Sequence, residues 1–157
     1  MGRRYQVLFS AVTVSAAQDL VQITGAAARM YRILRHWVGC GDTSLATGQG
    51  LKLRSRYLPA TVTVGSGGTT GVTPSKVDPG DAACTTTTCA INNTTQATTS
   101  GTAVLVYANG CHLYNGDVWN YPGVWIGPSE AYVFELLSTV SGTVTLSGGV
   151  LIEEFGG

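Results

Sequence analysis

Two histidines, four cysteines and nine carboxylates are the side chains of this 157-residue chain with the chemistry to move protons, attack carbonyls or hold metal. Hydrolysis by His36 or His112 needs a nucleophile and an orienting acid within hydrogen-bond reach. His112 follows Cys111 directly, and neighbours on a strand point to opposite faces, so the two do not form a dyad. Gly127-Pro128-Ser129-Glu130 lacks the glycine on each side of the serine that a nucleophile elbow requires. Glu153 and Glu154 diverge if they share a strand, although glycosidase carboxylates can come from distant strands. Gly65-Ser66-Gly67-Gly68 and Gly39-Cys40-Gly41 lack the lysine and following helix of a phosphate loop, and read as turns. Structural zinc wants two tightly spaced Cys or His pairs, which Cys40, Cys84, Cys89, Cys111 and the histidines do not supply. The expectation is therefore no catalytic set, no cofactor and no metal. Cys84 and Cys89 bracket four threonines, and a bridge between them would stabilise the loop by on the order of 2 kcal/mol if formed outside a reducing cytoplasm.

Binding chemistry is better represented. Lys52, Arg54 and Arg56 line one face of a strand whose other face carries Leu51, Leu53 and Tyr57. Such a stripe suits carboxylates, from the chain's own C-terminal half or an adjoining subunit. A neutral chain with an acidic half argues against nucleic acid. The run Trp119-Asn120-Tyr121-Pro122-Gly123-Val124-Trp125 offers flat aromatic faces for a glycan, or anchors for a protein interface, which is the expectation for Trp119, Tyr121 and Trp125. Asn92-Asn93-Thr94-Thr95 holds two overlapping glycosylation sequons, which in a bacterial or viral product mark only a polar turn.

The elements that must position these groups are read as β. Tyr5 to Val12 alternates, Leu20 to Thr24 and Thr102 to Tyr107 are compact, and Ala131 to Leu137 sets Tyr132, Phe134 and Leu136 against Glu135. Thr143 to Phe155 is a long last strand, expected to bend at Gly148-Gly149. Met30, Ile33, Leu34 and Trp37 fall at helical spacing, and Ala26 to Trp37 alone would make a basic amphipathic helix closed by Gly39. Because short alternating segments surround it, strand is the expectation there. Residues 58–100 lack a strong core signal and are too long for an ordinary loop, so they are expected to project as an arm ordered by neighbouring copies. Together these elements predict a single domain over residues 1–157, an all-β, jelly-roll-like sandwich with one long excursion.

Charge is scarce and divided. Charged residues are 11% of the chain, against about 25% in an average soluble domain. All nine cations lie between Arg3 and Lys76, and seven of the nine carboxylates lie beyond them. The halves either interleave and pair within the subunit or form complementary faces for stacking; scarcity of surface charge favours the second, an assembling protein. Arg3-Arg4 before Val7 to Ala17 imitates a secretory signal, but Ser10, Thr13 and Ser15 interrupt the run. No stretch reaches the ~18 uncharged apolar residues of a membrane span, and the expectation is a soluble product made in a host cytoplasm with no membrane partner.

Three segments, Phe9-Ser-Ala-Val-Thr-Val-Ser-Ala-Ala-Gln-Asp-Leu-Val-Gln-Ile23, Asn92-Asn-Thr-Thr-Gln-Ala-Thr98, and Gly142-Thr-Val-Thr-Leu through Glu153-Glu-Phe-Gly156, resemble a family of small tailed-phage and prophage virion proteins. The Cys84–Cys89 loop and the aromatic run depart from that family's pattern. The resemblance implies a β-sandwich virion component, an outer-capsid decoration or cement protein. The expectation built on it is a homotrimer bound to the major capsid protein on the virion exterior. The resemblance carries over no catalytic residue, and it favours strand for Arg29 to Val38. The alternative is a receptor- or carbohydrate-binding module on a tail or fibre.

Overall fold

The computed structural model describes residues 2–41, 49–85, 88–137 and 141–156. No helix occurs among them. The strands are β1 (Arg3–Val14), β2 (Gln18–Thr24), β3 (Met30–Cys40), β4 (Gly50–Leu58), β5 (Val62–Thr63), β6 (Thr69–Thr70) and β7 (Ser75–Lys76). They continue with β8 (Thr88–Asn93), β9 (Thr98–Thr99), β10 (Val104–His112), β11 (Asp117–Ile126), β12 (Ala131–Leu136) and β13 (Val144–Phe155). One sheet runs β11-β3-β13-β1-β7, the other β10-β4-β12-β2-β8-β6, and β5 with β9 forms a small separate ribbon. Every pairing is antiparallel, and the two large sheets make a β-sandwich.

Outside the excursion the pairing is nested. β1 pairs with β13, β2 with β12, β3 with β11 and β4 with β10, first with last and inward from there. Alternation puts Tyr5, Val7, Phe9, Ile33, Val150 and Ile152 of one sheet against Leu20, Ile23, Leu53, Phe134 and Leu136 of the other, all buried in a single core.

Met30–Cys40 is strand, as expected, and of the helically spaced Met30, Ile33, Leu34 and Trp37 only Ile33 is buried. Across β13, Ile33 faces Ile152 and Arg35 faces Leu151, leaving Leu34 outside the ladder as a bulge. One extra residue swaps the faces beyond it. Tyr31 and Ile33 point inward before the bulge, His36 and Val38 after it. The bend expected at Gly148-Gly149 belongs to the partner strand instead: β1 is irregular between Phe9 and Val12, with Ala11 at φ 52°. The two glycines serve close approach, since a Cβ on Gly148 would meet the Trp37 carbonyl and the Phe9 ring.

The excursion does not project as an arm. β8 extends one sheet beyond β2, β6 adds to β8, and β7 covers the edge of β1. Val62, Ala97 and Ala103 pack with Leu58, Ala131 and Val133 on the outer face of the second sheet. The polar groups on that face supply the anchors: Gly65 N–H donates to Gln22 Oε1 at 3.0 Å and Ala97 N–H to Asp19 Oδ2 at 2.7 Å. The described residues of 58–100 are thus ordered by their own sandwich, because a buried polar face needs donors and the excursion's backbone has them.

Candidate functional site

The bulge at Leu34 turns His36 into the core, where it meets residues from four other strands. Its ring stacks on Phe134 at 4.1 Å. Nε2 lies 3.3 Å from Asp117 Oδ2, and Nδ1 lies 2.8 Å from the Tyr121 hydroxyl and 3.5 Å from Ser55 Oγ. Ser55 Oγ is 2.8 Å from the hydroxyls of both Tyr132 and Tyr121, which are 2.9 Å from each other. Asp117 also accepts from Tyr107 at 2.7 Å and from Asn109 Nδ2 at 3.1 Å.

The protonation follows from this geometry. A carboxylate facing Nε2 requires the proton there, so Nδ1 is left as the acceptor facing the hydroxyls of Tyr121, Tyr132 and Ser55. Burial pushes the His36 pKa below its ordinary value, while Asp117 acts in the opposite direction. The imidazole is neutral at pH 7. Burial, with Asp117 adding to it, pushes the Tyr107 hydroxyl well up, and Tyr121 is raised to about 12, again chiefly by burial.

Ser55, His36 and Asp117 have the identities of a hydrolytic triad, and no atom of Ser55, His36 or Tyr132 is exposed. Two tyrosine hydroxyls occupy the space around Ser55 Oγ where a substrate carbonyl would have to sit. A nucleophile must reach a reacting carbon about 3 Å away. Here that distance is filled by protein.

A second buried cluster lies on the outer face of the other sheet, under the excursion. Glu135, fully buried, pairs with Arg54 and with Arg56, whose Nε stands 2.9 Å from Oε1. Asp19 sits directly across from Glu135. Burial raises the Asp19 pKa to about 7; the Ala97 N–H acts downward, Glu135 upward and Arg56 downward. Asp19 Oδ1 has no partner as an acceptor. A proton on that oxygen gives it a donor to offer Glu135, which accounts for both observations.

These clusters redistribute the residues singled out from the sequence. Arg54 and Arg56 are engaged inside the subunit by Glu135, which corrects their expected role at an interface; Lys52 is exposed on the same strand. Tyr121 is 6% exposed and belongs to the core cluster, so it is not part of an exposed aromatic platform: its residues leave the ladder between Asn120 and Val124, and the side chain turns inward. Trp119 and Trp125 are 45% and 44% exposed, the first against Tyr107, the second beside Phe155 with Arg32 above it. Cys89 is buried in the core and Cys84 packs against it, and the possible bridge between them is not formed in this structure. Glu153 faces Arg4, while Glu154 turns to Tyr31 and Arg29, diverging as expected. Among the described residues no three His, Cys, Asp or Glu side chains gather as a metal site.

Ser55, Tyr107, Asp117, Tyr132 and Asp19 were not singled out beforehand. The available signal was Ser55, a hydroxyl on the inward face of Leu51-Leu53-Ser55-Tyr57, which requires a buried partner. No family model, curated protein or solved structure matches this chain.

Proposed function

We propose that this protein is a non-enzymatic structural component of a phage virion, a capsid decoration or cement protein with a jelly-roll sandwich. The nested pairing of four leading with four closing strands supports the jelly-roll reading, which describes a long hairpin rolled into two sheets. The resemblance of its segments to phage virion proteins supports the virion assignment. The sealed Ser55–His36–Asp117 cluster supports a scaffolding rather than a catalytic role.

The observation that carries the reading is a contrast between the two outer faces. One sheet lies under the chain's own excursion. On the other, Leu8, Gly149, Trp37 and Val118 form one continuous cross-strand row, with Val118 61% exposed, and Trp125 projects from the same face. An exposed apolar row of this kind marks a protein contact surface. Held against a capsid lattice by many copies, such contacts become effectively intramolecular and gain strength from multivalency.

Co-sedimentation with empty capsid shells tests this. Saturable binding is expected, retained at 1 M salt where the Debye length is ~3 Å, and lost in the double variant Val118→Asp, Trp125→Ser. Absence of binding, or binding indifferent to both substitutions, would overturn it. Glycan binding abolished by Trp119→Ala would favour the tail-module alternative, for which the exposed Trp119 is the supporting observation.

A further inference from the structure

Among the described residues the sandwich has four lateral strand edges, and three are blunted. β7 is two residues long and ends in Lys76, β6 is two residues followed by Gly71 at φ 70°, and β11 carries Pro122 inside a break in its ladder. Short strands, lysine, proline and ladder breaks are the devices by which sheets avoid adding a further strand. β10, the remaining edge, has nine residues, no proline and no charge. It lies within a stretch running from Ala82 to Gly116 that contains no Asp, Glu, Lys or Arg. Its ladder with β4 has one irregularity, between Leu105 and Tyr107, and is regular over the six residues from Tyr107 to His112. Among the described residues, no backbone group of Val104–Cys111 bonds beyond that ladder. Leu105, at its start, is 60% exposed.

We propose that β10 is the edge at which a second copy of this chain adds, antiparallel and about a two-fold axis, joining the two six-stranded sheets into one. The absence of charge identifies the partner. In an isologous pair each residue of the strand lies opposite another residue of the same strand, so any charge there would be set near its own copy and repelled. A heterologous acidic or basic strand would find no complement on β10. A second β10 meets only apolar and neutral groups, gains the unpaired backbone bonds, and covers Leu105. This pairing does not rest on the virion reading, and it is two-fold where the sequence suggested a trimer.

The test is the solution mass of the full chain with a variant designed to keep the monomer folded. Ala108 lies opposite Arg54 and Gly110 opposite Lys52, so Ala108→Glu with Gly110→Glu gains opposite charges within the subunit while setting carboxylates against carboxylates across the axis. Wild type is expected at twice the 16.3 kDa chain mass by sedimentation equilibrium, and the variant at the chain mass with an unchanged circular dichroism spectrum. Amide exchange within Tyr107–His112 should slow as wild-type concentration rises from micromolar to millimolar and remain constant in the variant. A monomer throughout that range, a trimer, or a dimer that survives both substitutions or leaves β10 exchange unaltered would overturn the proposal.

Discussion

Replacing Asp19 with asparagine should stabilise the protein at neutral and alkaline pH and leave it unchanged in acid. Asp19 is fully buried, accepts the Ala97 N–H and faces Glu135. Its pKa is raised from 3.8 to about 7, above all by burial. The native state therefore holds this proton more tightly than the unfolded chain. The associated stabilisation is whole below about pH 4, falls as pH rises through about 7 and is then constant. Holding a proton across that interval is worth about 1.4 kcal/mol per pH unit, on the order of 4 kcal/mol in all. That is a large share of the roughly 5–15 kcal/mol that keeps an ordinary domain folded. Asparagine cannot ionise, yet its carbonyl can accept from Ala97 and its amide can donate to Glu135. Urea unfolding followed by tryptophan fluorescence, repeated from about pH 4 to about pH 9, should show wild type and Asp19→Asn converging in acid. The variant should lead by up to about 4 kcal/mol above neutrality, with an unchanged denaturant slope. Parallel pH profiles, or a variant weaker than wild type at high pH, would refute the buried-proton argument.

His36 acts in the opposite pH direction. Its pKa is lowered by burial, so its contribution is present above about pH 6.5 and is lost on acidification as the unfolded chain takes the proton first. His36→Phe retains the stack on Phe134 but removes the partners of Asp117 and Tyr121; a loss of about 2 kcal/mol at neutral pH and a shallower decline in acid are expected from urea titrations at the two pH values. Glu135→Ala leaves Arg54 and Arg56 without their shared carboxylate, and thermal and urea unfolding should register about 3–5 kcal/mol of destabilisation. A change below about 1 kcal/mol would mean that the pair is solvated like a surface bridge.

The architecture was legible because period-two alternation survives wherever one face of a strand is core. Tyr132, Phe134 and Leu136 face inward opposite Glu135, as their spacing requires. What the sequence hid were departures from that period. A bulge at Leu34 is one residue with no composition of its own, and it alone decides that His36 points into the core and Trp37 out. Pro122-Gly123 announces irregularity, but not that Tyr121 turns inward. The excursion was misread for a different reason. Its attachment to the sandwich depends on backbone donors meeting Asp19 and Gln22, and backbone groups carry no sequence signal. The polar cluster was only partly legible: Ser55 breaks an apolar face, while Asp117, Tyr107 and Tyr132 are joined to it by topology.

The same topology resolves the division of charge along the chain. A nested fold pairs early strands with late ones, so a basic first half and an acidic second half are brought side by side rather than onto separate surfaces. Arg4 lies directly across from Glu153, and Arg54 and Arg56 flank Glu135. The interleaved alternative therefore holds, and ionic complementarity between copies loses its main support. Part of the scarce charge is spent inside the subunit; Arg3, Arg35, Lys52, Lys76 and Asp78 stay exposed, Arg35 beside the Trp37 ring, while the exposed apolar groups gather in the row through Trp37 and Val118 on one face and along the uncharged β10 at one edge. Association through such surfaces draws on apolar burial and backbone hydrogen bonds, both little affected by salt. A charge-poor sequence is thus compatible with assembly for a reason opposite to the one its asymmetry first suggested. Its paired ions hold the fold closed, and its uncharged edge and apolar row are left for partners.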